Sequence, residues 1–181
     1  MNTKIVMLSD THGSQLGIQL SLEKVKEENP DFVIHLGDDY GDAQVYIDHG
    51  FSTLRVPGTW TEEYRNYQIE NRRFEIIEGW RFFLTPTPTP HFNDLADDPN
   101  PEQVRASDTY DIFCHGHTHR PEVYEAAGRL ILNPGHCKHD DRRGYPMSLA
   151  VINLTASLAR ISIIELETKS LIQQTQLSKI R

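Results

Sequence analysis

Three short segments of the chain contain carboxylate and imidazole side chains at positions where they could share a metal ion. They contribute Asp10 and His12, then Asp38, then His117 and His119. Within each pair the residues stand two positions apart, and alternate side chains of an extended segment point to the same side. Neutral imidazole is the commonest metal-binding side chain, and carboxylate oxygens bind the same divalent ions. The spacing therefore indicates a metal site, in which Asp38 could bridge two ions of the kind that catalyse phosphoryl chemistry.

Each segment also has a purely structural interpretation. Asp10 or Ser14 could cap the helix that follows, and Asp38 could be an ordinary residue of a Gly-Asp-Asp turn. The paired histidines could be surface or core side chains, but their position directly after a strand favours the metal site. Two further histidines, His35 and His115, lie within or at the end of predicted strands. We interpret them as packing residues or as supports for the ligands.

Short apolar runs precede these segments and predict buried strands at residues 4–8, 32–36 and 111–114. Apolar side chains at helical spacing predict a helix over 14–28, and a further strand is expected at 53–56. Where the strands of an α/β protein run parallel, ligands bind beyond their carboxyl ends. The candidate metal ligands lie at those ends, so the expected fold class is α/β with βαβ units.

The second half of the chain is richer in predicted strands and contains two hairpin signals, Glu-Gly and Ala-Gly. Strands are expected at 73–77, 81–84, 123–126, 129–132, 148–154 and 158–165. The Pro- and Asp-rich stretch 85–101 predicts a stiff loop, followed by one or two helical turns at 102–107. We expect one domain over 1–165, with 166–181 as a C-terminal extension of that domain.

Composition excludes several classes of protein. The chain has 181 residues, of which 38% are hydrophobic and 24% charged, which is typical of a single globular domain. Its net charge of −8 disfavours a stable nucleic-acid complex, because such binding depends on Lys and Arg. No apolar run approaches the roughly 20 residues that cross a bilayer, and no leader pattern begins the chain, so we expect no membrane partner and a cytoplasmic location. The two cysteines form no disulfide framework.

The order of the motifs resembles that of the calcineurin-like metallophosphoesterases, most closely their small bacterial and archaeal phosphodiesterase branch. The resemblance covers roughly residues 1–165 and is far more specific as an ordered set than any single piece. It rests on Ser-Asp-Thr-His-Gly at 9–13, Leu-Gly-Asp at 36–38, Val-x-Gly at 56–58, Gly-His-Thr-His at 116–119 and Asn-Pro-Gly at 133–135.

The resemblance implies a two-layer β-sandwich flanked by helices, with two divalent ions at the strand ends. It implies that one ion is held by Asp10, His12, Asp38 and His119. Asp38 would bridge to a second ion, which His117 also binds. The implied cofactors are one or two divalent ions, Mn²⁺ first and Fe, Zn or Ni as alternatives, with a metal-activated water as nucleophile.

The resemblance also suggests which residues contact the phosphate. These are His117, Asn133 and Arg142, in decreasing order of preference. Arg142 begins an Arg-Arg-Gly segment that resembles a basic segment near the family's site or subunit contact.

The chain departs from the family pattern at two ligands of the second ion. Thr59 stands where the family has Asn, and Pro86 stands where a metal-binding His is expected. A Thr hydroxyl is a poorer neutral ligand than an amide oxygen, and proline has no side-chain donor or acceptor. His91 or Asp94, further along the same loop, could replace the lost imidazole.

Four interpretations follow. In the first, neighbouring groups complete the site, with His91 or Asp94 in place of the lost imidazole and Thr59 as a weak ligand. In the second, only the first ion binds tightly. In the third, the chain is a catalytically reduced scaffold, resembling the metallophosphoesterase-like subunit of retromer. In the fourth, zinc binds structurally through Cys114 or Cys137 together with histidines. The last is disfavoured because it leaves the aspartates without a role.

We therefore expect a metal-dependent phosphoesterase that hydrolyses phosphodiesters or small phosphomonoesters. The expected partner is a small phosphate ester, and self-association is left open. No Ser-His-Asp set or phosphate-cradling Gly-x-x-x-x-Gly-Lys loop is visible in the sequence, which argues against those mechanisms.

Overall fold

The computed structural model describes residues 2–179 and shows two stacked β-sheets. The strands are β1 Thr3–Leu8, β2 Phe32–His35, β3 Thr53–Arg55, β4 Arg73–Ile77, β5 Trp80–Thr85, β6 Ile112–His115, β7 Glu122–Ala126, β8 Arg129–Asn133, β9 Ser148–Leu154, β10 Leu158–Glu165 and β11 Leu171–Ser178. The α-helices are α1 Gln15–Glu28, α2 Gln44–Asp48 and α3 Pro101–Ala106, and single 3₁₀ turns span Tyr40–Ala43 and Glu63–Arg65.

The sheets combine parallel and antiparallel pairs. The first has the strand order β11-β10-β9-β1-β2-β3, in which β1, β2 and β3 run parallel and the strands from β9 onward are antiparallel. The second has the order β4-β5-β6-β8-β7, in which β5, β6 and β8 run parallel. The carboxyl ends of β1, β2 and β6 therefore carry the loops with the candidate ligands, as the sequence predicts.

Alternating side chains of the central strands are buried on both faces of each sheet. On β1, Ile5 and Met7 join the core between the sheets, together with Phe82 of β5 and residues of β6, β8, β9 and β10. Val6 and Leu8 point the other way and pack in a second cluster with side chains of α1 and α2. A third, smaller cluster lies where α3 covers the outer face of the second sheet. Because both faces of these strands are buried, they appear in the sequence as nearly continuous apolar runs.

Helix α1 is bounded by well-formed caps. Ser14 accepts a hydrogen bond from the backbone N–H of Gly17, and Asn29 adopts the left-handed conformation (φ 44°) just before Pro30. A Cβ at Gly17 would lie 1.6 Å from the carbonyl oxygen of Cys137. Glycine is therefore required here, because the helix backbone touches the loop that follows β8.

The polar tail forms an edge strand that the sequence pattern does not predict. Residues Leu171–Ser178 pair antiparallel with β10. Gln173 also exchanges two hydrogen bonds with the backbone of Val123 on β7, at 2.6 and 3.0 Å, which link the first sheet to the second. Of the C-terminal extension, residues 180 and 181 lie outside the described part.

The long loop after β5 is fixed by a buried arginine. The Arg72 side chain pairs with Asp94 at 2.9 Å and with Asp98 at 3.5 Å. It also donates hydrogen bonds to the hydroxyls of Thr85 and Thr87. A buried guanidinium needs such partners, so the loop wraps around it. In residues 2–179, no helix is long and apolar enough to span a membrane.

Candidate metal centre

Four side chains from three loops converge at one end of the sandwich. Asp10 and His12 follow β1, Asp38 follows β2, and His119 follows β6. One ligand atom from each lies within 4.8 Å of all the others. Three chain segments distant in sequence therefore present two carboxylates and two imidazoles to one point.

The contacts within this four-residue cluster fit a cation. His12 Nε2 lies 2.6 Å from Asp38 Oδ2 and 3.0 Å from His119 Nε2, and His119 Nε2 lies 3.5 Å from Asp10 Oδ1. Asp38 Oδ2 is buried, and no donor among the described residues meets it in hydrogen-bond geometry. Buried polar atoms are normally paired, so this set of lone pairs suits a divalent ion.

The backbone of the site is held in an uncommon conformation. Five non-glycine residues of the ligand loops have positive φ, namely Asp10 (54°), His12 (49°), Asp38 (66°), His117 (71°) and His119 (61°). The extended geometry expected for the two pairs is therefore wrong, since tight turns rather than an alternating strand bring their side chains together. Left-handed residues other than glycine cost about 1–3 kcal/mol each and tend to cluster at functional sites.

Electrostatics of the cluster follow from burial and from the two carboxylates. Burial and the nearby charge of Asp38 raise the pKa of Asp10 well above its usual value. Burial also opposes ionisation of Asp38, but its contact with His12 outweighs this and lowers the pKa of Asp38. The same contact raises the pKa of His12. Burial lowers the pKa of His119, which keeps that imidazole neutral and able to bind metal.

Backbone and hydroxyl groups orient Asp10 from behind. The N–H of His117 donates to both of its carboxylate oxygens, at 3.0 and 2.9 Å. Ser9 Oγ lies 2.6 Å from Asp10 Oδ2 and 2.8 Å from the carbonyl oxygen of Gly135. A Cβ at Gly116 would lie 2.8 Å from Asp10 Oδ2, so glycine lets the two loops meet.

A further carboxylate, Asp141, supports His119 and was not predicted from the sequence. Its Oδ1 lies 2.8 Å from His119 Nδ1, so the ring directs Nε2 at the cluster. Such a carboxylate fixes the tautomer of a metal-binding histidine. No spacing rule separates Asp141 from its neighbour Asp140, whose side chain is 84% exposed. The difference between them exists only in the folded chain.

His136 stacks on His119 with ring centroids 5.0 Å apart, and it too was not predicted. It could form a second metal-binding group with His119 and Asp141. However, its Nε2 bonds the carbonyl oxygen of Tyr145 and its Nδ1 accepts from the N–H of Lys138. Both ring nitrogens are thus occupied, which makes His136 a packing partner of the ligand.

Comparison with known proteins identifies the family. A family model described as the calcineurin-like phosphoesterase superfamily domain matches residues 3–157. The chain belongs to this superfamily. The resemblance read from the motifs and the expected fold class are both confirmed.

This calcineurin-like chain is similar in sequence to a phosphodiesterase, and similar in fold to a sorting protein and a phosphoesterase. The phosphodiesterase MJ0936 of Methanocaldococcus jannaschii is 25% identical over 150 residues, covering 74% of this chain and 84% of the relative. Vacuolar protein sorting 29 of Cryptosporidium parvum superposes with a TM-score of 0.75 at 18% identity, covering 98% of this chain and 99% of that one. YfcE, a phosphoesterase from E. coli, gives 0.67 at 21% identity, covering 95% and 98%. These two structural matches show the shared fold.

The positions expected to hold a second ion are present but chemically altered. Thr59 and Pro86 are both buried beside the Asp38 loop. A Cβ at Gly37 would lie 2.9 Å from Pro86 Cβ, so the proline ring packs directly against this loop. His117 is exposed and does not join the four-residue cluster. This side of the calcineurin-like site therefore offers a hydroxyl and an apolar ring where ligands were expected.

The two suggested replacements differ in their surroundings. Asp94 accepts hydrogen bonds from Arg72 at 2.9 and 3.0 Å and from the hydroxyl of Tyr64 at 2.6 Å. Its carboxylate is thus used to anchor the loop, and it is not part of the metal-binding cluster. His91 is half-buried, and its Nδ1 accepts from the N–H of Asn93. Its Nε2 has no hydrogen bond among the described residues.

The candidate phosphate contacts lie in contrasting environments. Asn133 is buried, donates to the hydroxyl of Thr118 at 2.7 Å and accepts from the N–H of Gly135 at 2.9 Å. Its amide therefore ties the Gly-His-Thr-His loop to the Asn-Pro-Gly turn. The exposed Arg142 has no side-chain hydrogen bond or salt bridge within residues 2–179. Of the three, His117 lies in the ligand loop itself.

Other polar residues named from the sequence are structural. Burial lowers the pKa of His35 and of His115 to about 4, so both rings are neutral. His35 Nε2 lies 3.2 Å from the hydroxyl of Thr11. Cys114 and Cys137 are buried, and among the described residues neither belongs to a metal-binding group.

A cleft of about 500 Å³ opens beside the cluster. His12 and Asp38 are among its lining residues, so the cleft adjoins the metal centre. Its walls are lined by Asp39, Tyr40, Gly41, Trp60, Thr61, Glu62 and Glu63.

Proposed function

We propose that this protein is a metal-dependent phosphoesterase that hydrolyses phosphodiesters or small phosphomonoesters. The observation that carries the proposal is the four-residue cluster, in which two carboxylates and two imidazoles meet at one point and Asp38 Oδ2 is buried with no partner in hydrogen-bond geometry among the described residues. The hydrogen bond that His119 Nδ1 donates to the Asp141 carboxylate is the support that metal-binding histidines usually have. A 25% identical relative is named a phosphodiesterase, which agrees with the proposal.

The residues of the site have different proposed roles. Asp10, His12, Asp38 and His119 would hold the first ion. A bound divalent ion polarises the phosphoryl group and makes a coordinated water acidic enough to act as nucleophile near neutral pH. Burial lowers the pKa of His117, so its neutral ring offers one N–H to a phosphoryl oxygen. Hydrolysis joins the water oxygen to phosphorus, breaks the bond to the leaving alcohol and delivers a proton to that alcohol.

The altered half of the site predicts weak binding of a second ion. Thr59 and Pro86 supply neither an amide oxygen nor an imidazole, and His91 is the nearby loop residue whose ring could contribute. We therefore propose activity at high concentrations of Mn²⁺, with one tightly bound ion. The substrate is proposed to be small, and self-association and the absence of a nucleic-acid partner stay predictions.

The decisive experiment is hydrolysis of bis(p-nitrophenyl) phosphate as Mn²⁺ is raised to saturation. Asp38→Asn should abolish the activity, because it removes a charged ligand. Asp140→Asn is the matched control, since that side chain is exposed and lies outside the cluster. No hydrolysis at saturating metal, or equal rates in wild type and Asp38→Asn, would overturn the proposal.

A second candidate is a catalytically reduced scaffold that acts through protein contacts. It is favoured by the loss of ligands at Thr59 and Pro86. The edge strand β4 also exposes Phe74 and Ile76, at 50% and 75%. Failure of the hydrolysis experiment together with tight binding of one ion would support the scaffold.

A further inference from the structure

An exposed aromatic group, formed by Trp60, His91 and Phe92, lies near the metal centre, and Trp60 lines the cleft beside it. Trp60 is 65% exposed and Phe92 is 76% exposed. The Trp60 ring meets Phe92 and His91 edge-to-face, at centroid distances of 5.1 and 5.4 Å. Large aromatic side chains are usually buried, so such a group beside a reactive centre suggests contact with a ligand.

The loops hold this aromatic group in place. The N–H of Thr61 donates to the carbonyl oxygen of Gly58 at 3.1 Å, and the amide of Asn93 donates to the carbonyl oxygen of Thr59 at 2.8 Å. The second bond ties the turn that carries Trp60 to the loop that carries Phe92. Both sides of the aromatic group are thus positioned before any ligand arrives, which reduces the entropy lost on binding.

The cleft that Trp60 borders is acidic. Besides Asp38, its walls include Asp39, Glu62 and Glu63, and no Lys or Arg is among the lining residues. Within residues 2–179 none of these three further carboxylates forms a salt bridge. Arg55 lies nearby, but its guanidinium is stacked 4.0 Å from the centroid of the Tyr40 ring, on one face of that ring. Of the two aromatic rings that line the cleft, Tyr40 is thus covered on one face by Arg55, and Trp60 is the exposed ring that a ligand can contact.

The combination of an exposed indole ring and unpaired carboxylates favours a positively charged ligand. A cation is attracted to the face of an indole ring, and quaternary ammonium groups are bound in this way. Uncompensated carboxylates in a cleft add attraction for a cation and repel additional phosphates. Nucleotide polyphosphates and acidic substrates would be disfavoured here. A neutral organic group would gain contact with Trp60 but nothing from the carboxylates.

We propose that the Trp60 cleft, lined by Trp60, Asp39, Glu62 and Glu63, binds a positively charged organic group of the substrate. Because His12 and Asp38 line the same cleft, the charged group lies next to the phosphoryl group. The preferred substrate class is then a phosphodiester of an amino or trimethylammonium alcohol. This inference rests on the proposed function for the position of the phosphoryl group, but binding of the cation itself does not need the metal.

The first test measures binding without metal. The chain has two tryptophans, and because Trp80 is fully buried, Trp60 reports on the cleft. Choline should change the fluorescence of Trp60 at concentrations about tenfold lower than 3,3-dimethylbutanol, its uncharged isostere. The double variant Glu62→Gln, Glu63→Gln should remove this preference. Tyr67→Ala, an exposed aromatic side chain outside the cleft, should leave it unchanged. Equal responses to the two alcohols would overturn the inference.

The second test compares two esters with the same leaving group in the presence of Mn²⁺. Water adds to phosphorus and p-nitrophenolate leaves, from either p-nitrophenyl phosphorylcholine or p-nitrophenyl 3,3-dimethylbutyl phosphate. The ratio of kcat/KM should favour the choline ester about tenfold, and Trp60→Ala should lower this ratio severalfold; an unchanged ratio in this variant would overturn the role of Trp60.

The two tests separate the inference from the proposed function. Equal hydrolysis of both esters would overturn the Trp60 cleft while supporting the phosphoesterase. Selective choline binding with no hydrolysis of either ester would support the cleft and overturn the proposed activity.

Discussion

The two sides of the candidate metal centre both bring loops into close contact, but they differ in their side chains. On the first side, Asp10 and His119 are buried, oriented by neighbouring groups and aimed at one point. On the second side, the loop after β3 packs closely against the Asp38 loop, since a Cβ at Gly58 would lie 2.3 Å from Asp38 Cα. The residues placed there, Thr59 and Pro86, nevertheless lack strong donor atoms. The loop geometry of a metal site can thus be complete where its chemistry is not.

The largest effect is expected on the intact side. Asp10→Asn should lower kcat/KM more than about 100-fold and reduce bound metal, because it removes a charged ligand from a buried site. Metal content by mass spectrometry and hydrolysis of an aryl phosphodiester measure both effects. Full metal content in this variant would show that the ion binds elsewhere.

The next effect concerns the support of His119. Asp141→Asn should weaken metal affinity about 10- to 100-fold, because the amide no longer stabilises the imidazole in the tautomer that presents Nε2. Isothermal titration with Mn²⁺ gives the affinity, and Asp140→Asn is the control. A drop in thermal stability without a change in metal affinity would limit Asp141 to a structural role.

Metal affinity should also depend on pH. The pKa values of Asp10 and His12 are both raised, the first by burial and the second by its contact with Asp38. A group with a raised pKa keeps its proton to higher pH, so the metal must displace protons, and affinity falls as the pH falls. We expect up to about tenfold weaker binding per pH unit for each displaced proton. Titrations in buffers of different ionisation enthalpy count these protons, and a count of zero would contradict the prediction.

The smallest expected effect is a gain on the altered side. Pro86→His should supply an imidazole beside Asp38, raise the metal content toward two ions per chain and increase the rate severalfold. Pro88→His, in the same Thr-Pro repeat but less buried, is the control. Equal metal content in the two variants would show that the missing ligand does not limit the second ion.

The sequence predicts the strands that bear the site better than it predicts the sheet edge. Residues 4–8 and 32–36 are mostly apolar because both faces of their strands are covered, and the pattern is visible without any tertiary information. Strand β11 is polar and mostly exposed, so its local sequence carries little signal. Pairing with β10 and the bonds from Gln173 to Val123 define it, and both depend on distant segments.

The same distinction applies to the site. Residue type and spacing predict the candidate ligands, but the extended backbone that the spacing predicts is wrong, because Asp10 and His12 adopt left-handed conformations. Asp141 could not be found, because its bond to His119 joins residues 22 positions apart. Local pattern identifies residues that bind a ligand, whereas residues that orient them are defined by the fold.

The positive φ angles of the ligand loops predict a trade-off between activity and thermal stability. If each left-handed residue costs about 1–3 kcal/mol, His12→Gly would relieve part of that cost while deleting a ligand. The metal-free His12→Gly variant should then melt at a higher temperature than the metal-free His12→Ala variant, because both lack the contact with Asp38 and only glycine relieves the backbone. Alanine at the same position would remove the ligand and keep the unfavourable backbone. Glycine and alanine scans of these loops should therefore rank the variants alike in activity and differently in thermal stability.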